Sequence, residues 1–221
     1  MELPAWPQEG TRSTFAALHQ VITRYGRFAE LYTDRGSHFC RTAAAGAPPD
    51  DVHATQVARA LRALGIRHIR AQSPEARGRS ERAFGTIQGR LPQELRVAGI
   101  TDYAAANTYL ETTFIPDFNR RFTVRPAQPE RAFLPLVGVD LRLLLSAQHE
   151  RTVRNDSTVT FERLVLQLPP TRDRPHYVRC PVLVHEFPDD SLGLSYQGRL
   201  LARYTRQGTL LEAPAAKGTA A

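Results

Sequence analysis

The stretch Leu31-Tyr32-Thr33-Asp34-Arg35-Gly36-Ser37-His38-Phe39 decides the fold that this sequence predicts. Apolar residues from Phe28 to Thr33 indicate a short strand, and Asp34 stands at its carboxyl end, where chemistry gathers in α/β folds. A second carboxylate, Glu81, opens an amphipathic helix within Gly78-Arg79-Ser80-Glu81-Arg82, with 46 residues between the two acids. One carboxylate at a strand end and one at a helix start can together hold a metal ion.

The residues around this stretch predict alternating helices and strands. Apolar residues at three- and four-residue spacing indicate a helix over 11–26, and a second helix over 50–65 would be capped by Asp50 or Asp51. Residues 66–71 read as a second strand. The order helix, strand, helix, strand implies parallel strands joined by a crossover helix.

The helix that carries Glu81 has a defined apolar face. Glu81, Phe84, Ile87 and Leu91 share that face, so we expect Glu81 to point inward rather than into solvent. Pro92 removes a backbone hydrogen bond from the helix interior and predicts a kink there or a break into two helices. A further helix is predicted over 103–118.

Short strands predominate after about residue 138. Residues 152–161 predict a strand, a turn at Asn155-Asp156 and a second strand. Further strands are predicted over 165–168, 178–186, 193–196 and 200–204. Closely spaced strands of this length suggest a small barrel, and the alanine- and glycine-rich tail from Glu212 is expected to be disordered.

Composition points to a polyanionic partner. The formal net charge is +7 and the pI is about 10.0. Lys217 is the only lysine, so the positive charge comes almost wholly from arginine. Arginine richness can also reflect genomic base composition. The two cysteines, Cys40 and Cys180, form neither a zinc motif nor a disulfide framework. No apolar run approaches the ~20 residues that span a bilayer, so we expect a cytoplasmic protein without a membrane partner.

Three groups of motifs resemble the integrase catalytic core of DDE transposases, which has an RNase H-like fold. The matching stretches are Tyr32–Phe39, Leu61–Ile66 and Ser73–Arg82. Two further stretches, Arg90–Arg96 and Phe114–Asn119, are most similar to the insertion-sequence transposases grouped as ISNCY. The resemblance covers roughly residues 8 to 205.

The resemblance implies roles for individual residues. Asp34 would be the second acid of the catalytic triad and Glu81 the third, together holding Mg²⁺ or Mn²⁺, with two ions in the intact family site. The partner would be DNA, both the transposon ends and the target. The resemblance also allows assembly of this chain into a homo-oligomer. The side chains expected to contact DNA are Arg35, His38, Arg77, Arg79 and Arg82. The alternative for the arginines is a solvated basic rim, and for His38 it is a simple packing role.

The sequence departs from the family pattern before Asp34. The family carries a first aspartate on an early strand, whereas Asp34 is the first aspartate here and only Glu2, Glu9 and Glu30 precede it as acids. We therefore expect a truncated transposase that is inactive alone, in which the apolar face of the first helix has little to pack against; the alternative is a non-catalytic DNA-binding remnant.

The expected fold class is α/β, a truncated RNase H-like integrase core, followed by a small all-β barrel domain. The predicted ranges are 1–135 for the partial core, 139–206 for the barrel and 207–221 for a disordered tail.

Overall fold

A computed structural model describes most of the chain in five ranges. These are residues 4–41, 54–71, 78–124, 132–171 and 174–213. The chain divides into two compact units, residues 1–138 and 139–221. None of the helices in the described ranges combines the length and the apolar character that crossing a membrane requires.

The first unit begins with helix α1 (Thr11–Tyr25), which confirms the helix predicted there. Its apolar residues Phe15, Leu18 and Ile22 are 1%, 5% and 3% exposed, so the expectation that this face lacks packing was wrong. The helix ends at Gly26, whose φ of 100° favours glycine. A Cβ at Gly26 would also lie 2.5 Å from the carbonyl oxygen of Leu134.

The predicted strand before Asp34 is divided in two. Strand β1 (Arg27–Phe28) and strand β2 (Glu30–Thr33) are separated by Ala29, and β1 pairs antiparallel with β4 (Phe133–Leu134). Strand β2 pairs with β3 (Arg67–Arg70) in parallel, which confirms the predicted parallel pairing. The carboxyl ends of both strands therefore lie at the same edge of this two-stranded sheet.

The crossover helix between them is α2 (Gln56–Ala63), whose core residues Val57 and Leu61 are fully buried. Its N-cap is Thr55, whose hydroxyl accepts a hydrogen bond from the Ala58 amide at 3.1 Å. The prediction of a cap at Asp50 or Asp51 was wrong, because a threonine immediately before the helix already accepts that amide. Both aspartates lie outside the described residues.

Helix α3 (Gly78–Val97) passes through Pro92 without a break, so the alternative of two separate helices was wrong. The next helical segment has three parts, α4 (Tyr103–Tyr109), a π-helical turn (Leu110–Phe114) and α5 (Ile115–Phe122). The wide turn has a local cause, because Pro116 has no amide to donate to the carbonyl one α-helical turn earlier.

These helices share a small core that leaves the start of α3 uncovered. Ile87 packs among four buried residues of the following helices, namely Leu110, Phe114, Ile115 and Phe118. Phe84, one turn earlier on α3, is 47% exposed. Burial on α3 therefore begins at Ile87.

The second unit contains a short helical turn and seven strands among its described residues. The turn is α6 (Leu141–Leu144) and the strands are β5 (Ala147–Thr152), β6 (Thr158–Phe161), β7 (Leu164–Gln167), β8 (Pro181–Glu186), β9 (Leu192–Tyr196), β10 (Arg199–Tyr204) and β11 (Leu210–Glu212). Five form an antiparallel sheet in the order β11-β10-β9-β8-β5, and β6 pairs with β7. These described strands form an open sheet and a separate hairpin, so the predicted barrel stays a prediction.

The predicted strand, turn and strand over residues 152–161 are confirmed, with the turn at Asn155-Asp156 between β5 and β6. The two strands do not pair along their length, however, because β5 pairs with β8 and β6 pairs with β7. Strand β11 lies within the range predicted to be a disordered tail, and that prediction was wrong for residues 210–212, which pair with β10. The rest of the tail from residue 214 lies outside the described residues.

Candidate functional site

Asp34 follows β2 directly and is held by the loop that comes after it. Its Oδ1 accepts a hydrogen bond from the Gly36 amide at 2.9 Å, the local turn that aspartate favours. A Cβ at Gly36 would lie 3.1 Å from this oxygen and 3.0 Å from Cε1 of His38. Glycine thus lets the loop approach the half-buried carboxylate and fix its orientation.

A hydrogen-bonded pair supports the backbone at this strand end. The Thr33 hydroxyl donates to the Asp34 carbonyl at 2.9 Å and lies 2.8 Å from Nε2 of His68. Because a hydroxyl has one hydrogen, His68 must be the donor, which assigns the proton to Nε2. Burial, and secondly the positive charge of Arg70, lower the pKa of His68 below its ordinary value of 6.5.

His38 lies beside Asp34 but is mostly covered. Its ring packs on Phe39 with centroids 4.0 Å apart, and the side chain is 12% exposed. Nε2 of His38 is buried without a hydrogen-bond partner and lies 3.8 Å from Oε1 of Glu9, too far for a hydrogen bond. Little of the imidazole is therefore available to DNA, and the DNA contact of His38 stays a prediction.

An apolar cleft of about 460 Å³ opens beside Asp34. We call it the acid cleft, because Glu9 and Asp34 line it together with apolar residues. The apolar part comes from α1, β1, β2, the loop after β2 and α3, with Ala17, Leu18, Val21, Phe28, Leu31, Tyr32, Phe39 and Phe84. From the sequence, Glu9 could be recognised only as an acid that precedes Asp34, because the path of the chain before α1 is what brings it to this cleft.

Glu81 lies one helical turn before Phe84, and Phe84 lines the acid cleft. The first part of α3 is therefore near Asp34. Glu81 itself is exposed, so the expectation that it points inward was wrong. The reason is that the shared helical face is covered only from Ile87 onward.

The arginines predicted to contact DNA are only partly described. Arg35 and Arg82 are exposed, and Nε of Arg82 donates to the Gly78 carbonyl at 3.0 Å. Arg77 and the side chain of Arg79 lie outside the described residues. Within the described ranges, no three histidine, cysteine, aspartate or glutamate side chains come together in a group that could hold a metal ion.

A second cavity, of about 260 Å³, shares Phe39 with the acid cleft. We call it the basic pocket, because Arg41, Arg62, Arg70 and His68 line it. These residues could not be recognised as a group from the sequence, since their side chains converge only through the pairing of β2 with β3 and the packing of α2. The arginine-rich composition was the only available signal.

Two curated proteins are similar to this chain. It is 32% identical over 203 residues to the candidate transposase y4bF of Sinorhizobium fredii. The aligned region covers 91% of this chain and 44% of y4bF. This chain is 33% identical over 115 residues to the transposase of insertion sequence IS1202 from Streptococcus pneumoniae, covering 52% of this chain and 24% of that protein. The chain thus spans less than half the length of either relative. No family model matches it.

Proposed function

We propose that this chain carries part of the catalytic core of a DDE-type transposase and acts in DNA transposition, through metal-dependent strand cleavage and transfer. The observation that carries the proposal is the similarity to y4bF, which spans 91% of the chain. A match of that extent includes both Asp34 and Glu81. The RNase H-like core, the small barrel and the ISNCY grouping belong to the same proposal.

In this proposal Asp34 and Glu81 are the metal-binding carboxylates, with Mg²⁺ or Mn²⁺ as the cofactor and two ions in the complete site. Carboxylate oxygens suit these hard cations, and such ions stabilise the attacking and leaving oxygens of a phosphodiester. The Gly36 amide orients Asp34, and the His68–Thr33 hydrogen bond supports the strand end behind it.

The described acids do not make a complete set of ligands. No group of three candidate ligands forms among the described residues, and two carboxylates leave much of the charge of two divalent ions uncompensated. We therefore propose that these 221 residues do not cleave DNA alone. The DNA phosphates would be contacted by Arg35, Arg77, Arg79 and Arg82. Assembly into a homo-oligomer and a cytoplasmic location stay predictions.

Paramagnetic Mn²⁺ tests whether the two acids share a metal. Mn²⁺ added to the ¹⁵N-labelled protein should broaden the amide signals of Gly36 and of the first turn of α3 at the same low concentrations. Asp34→Asn and Glu81→Gln should each reduce the broadening in both regions. Asp34→Asn retains an oxygen to accept the Gly36 amide, so the loop should keep its conformation.

The matched control is Asp102→Asn. Asp102 caps α4 and accepts from the Ala105 amide, and asparagine caps helices equally well. This variant should leave the broadening unchanged. Broadening confined to one of the two regions, or equal loss in the control, would rule out a shared site.

A non-catalytic DNA-binding remnant is the second candidate function. It is favoured by the absence of a three-ligand group among the described residues together with the net charge of +7. It predicts duplex binding that weakens steeply with salt, independently of sequence, and that Asp34→Asn does not alter. Fluorescence anisotropy with two unrelated labelled duplexes, with and without Mg²⁺, separates the candidates, because a metal-linked site predicts a Mg²⁺ effect that Asp34→Asn removes.

A further inference from the structure

The basic pocket collects cationic side chains from three different elements. Arg70 and His68 come from β3, Arg62 comes from α2, and Arg41 follows the loop after Asp34. No carboxylate is among the described residues that line it. The positive charges at this cavity repel one another, and a bound anion would be attracted to each of them. The pocket therefore favours an anionic ligand.

The basic pocket adjoins the end of β2 that carries Asp34. Thr33 pairs in register with Arg70, and its hydroxyl accepts the hydrogen bond from His68. Phe39 contributes to both the basic pocket and the acid cleft. An anion in the pocket would therefore lie close to whatever Asp34 holds.

We propose that the basic pocket binds one backbone phosphate of DNA, next to the phosphodiester engaged at Asp34. This inference rests on the proposed function and adds a site to it. Arginine suits this ligand because its planar guanidinium donates two parallel hydrogen bonds to a tetrahedral oxyanion. Arg41 and Arg62 are exposed, so a phosphate that remains part of a polymer can reach them.

The electrostatics of His68 agree with this assignment. Burial is the larger cause of its lowered pKa, and the positive charge of Arg70 lowers the pKa further; the second contribution reflects a positive potential in the pocket. A bound phosphate offsets that potential and raises the pKa of His68 towards its value in water. The imidazole therefore serves as a reporter of occupancy that does not depend on catalysis.

The test measures binding of a fluorescein-labelled 20-base-pair duplex to the full chain in EDTA, across a series of salt concentrations. The double variant Arg41→Gln/Arg62→Gln should bind about tenfold more weakly. The slope of log affinity against log salt should fall by about 1, the change expected for one lost phosphate contact. Both arginines are exposed, and thermal unfolding followed by circular dichroism checks that the variant folds.

The matched control is Arg24→Gln/Arg96→Gln, which removes the same charge from exposed positions of α1 and α3 that do not line the pocket. It should change the affinity less than twofold and leave the salt slope unaltered. Equal effects of the two double variants would overturn the proposal while leaving DNA binding itself intact. A wild-type chain that fails to bind DNA in EDTA would overturn this inference, whereas the proposed metal site is tested separately by the Mn²⁺ broadening and its Asp34→Asn variant.

Nuclear magnetic resonance of His68 distinguishes DNA from a free anion. Duplex at a stoichiometric concentration should raise the pKa of His68, and the Arg41→Gln/Arg62→Gln variant should lose that response. Inorganic phosphate should reproduce the shift only at millimolar concentration and should be displaced by duplex. A shift with phosphate that duplex neither produces nor displaces would assign the pocket to a small anion and overturn the proposal.

Discussion

His68 connects the charge of the pocket with the backbone beside Asp34. Its Nε2–H donates to Thr33, while burial and Arg70 lower its pKa from 6.5. The folded chain therefore favours the neutral imidazole more strongly than the unfolded chain does. Above about pH 6.5 the lowered pKa of His68 gives the free energy of unfolding no pH dependence, because the imidazole is neutral in both states. Below about pH 6.5 the unfolded chain takes up the proton more readily than the folded chain, so the free energy of unfolding falls.

We therefore predict that the free energy of unfolding decreases from pH 7.5 to pH 5.5, and that His68→Gln removes part of this decrease. Glutamine retains an N–H donor for Thr33 but does not titrate in this range, which separates the charge from the hydrogen bond. Urea unfolding followed by circular dichroism at several pH values measures the difference. The other six histidines are present in both proteins, so their contributions to the pH dependence cancel in the comparison. The same pH slope in wild type and variant would contradict the prediction.

The sequence predicted some residues of the site and not others, for reasons that are physical. Asp34 could be placed at the end of a parallel strand because strand and helix patterns are local. Glu9 and His68 could not be linked to it, since their positions depend on tertiary packing. The orientation of Glu81 was misjudged because periodicity defines a helical face but not how far along the helix that face is covered.

Helix α3 illustrates how packing overrides a local rule. Pro92 lies inside the helix and is exposed, so it leaves a helix carbonyl without its amide partner. Packing of Ile87 against the following helices and the ion pair of Arg90 with Glu94 at 2.8 Å help to hold the turns around it. The predicted break therefore does not occur, although proline still destabilises the helix.

Pro92→Ala should raise the free energy of unfolding by about 2 kcal/mol. The gain from a restored hydrogen bond and better helix propensity is about 3 kcal/mol, and the greater freedom of the unfolded chain offsets up to about 1 kcal/mol. Gln93→Ala, at the next exposed position, is the control and should change stability by less than about 0.5 kcal/mol. Urea unfolding of both variants measures this, and an unchanged or reduced stability of Pro92→Ala would refute it.

Strand pairing in the second unit could be predicted only in part. The turn at Asn155-Asp156 was recognised, and Asp156 does accept from the Thr158 amide and hydroxyl. A turn signal does not say which strands pair, however. Strand β6 turns again at Glu162, whose φ is 52°, and pairs with β7, so the pairing of β5 with the distant β8 was not available from local pattern.

At the scale of the whole molecule, the second unit has a core of its own. Val159, Leu166, Leu192 and Leu194 are fully buried in one cluster that lies entirely within residues 139–213. A buried histidine is also satisfied inside the unit. His185 lies 2.7 Å from a serine hydroxyl at each ring nitrogen, and buried polar groups with partners favour one packing arrangement.

This core predicts that the polypeptide 139–213 folds by itself and unfolds cooperatively. Leu194→Ala should lower its free energy of unfolding by about 2–5 kcal/mol, because it removes buried methyl groups and leaves a cavity. Val165→Ala, at a position that is 60% exposed, should cost less than about 1 kcal/mol.

Tyr204 supplies a second probe of the same core. Its burial raises the pKa of the phenol, and its hydroxyl donates to the Gln167 carbonyl at 2.6 Å. This tyrosine should therefore resist ionisation until the unit unfolds. Urea unfolding and ultraviolet titration measure the two effects. Equal costs for the two variants, or ionisation of all tyrosines together in the folded state, would show that this segment does not form the packed core on its own.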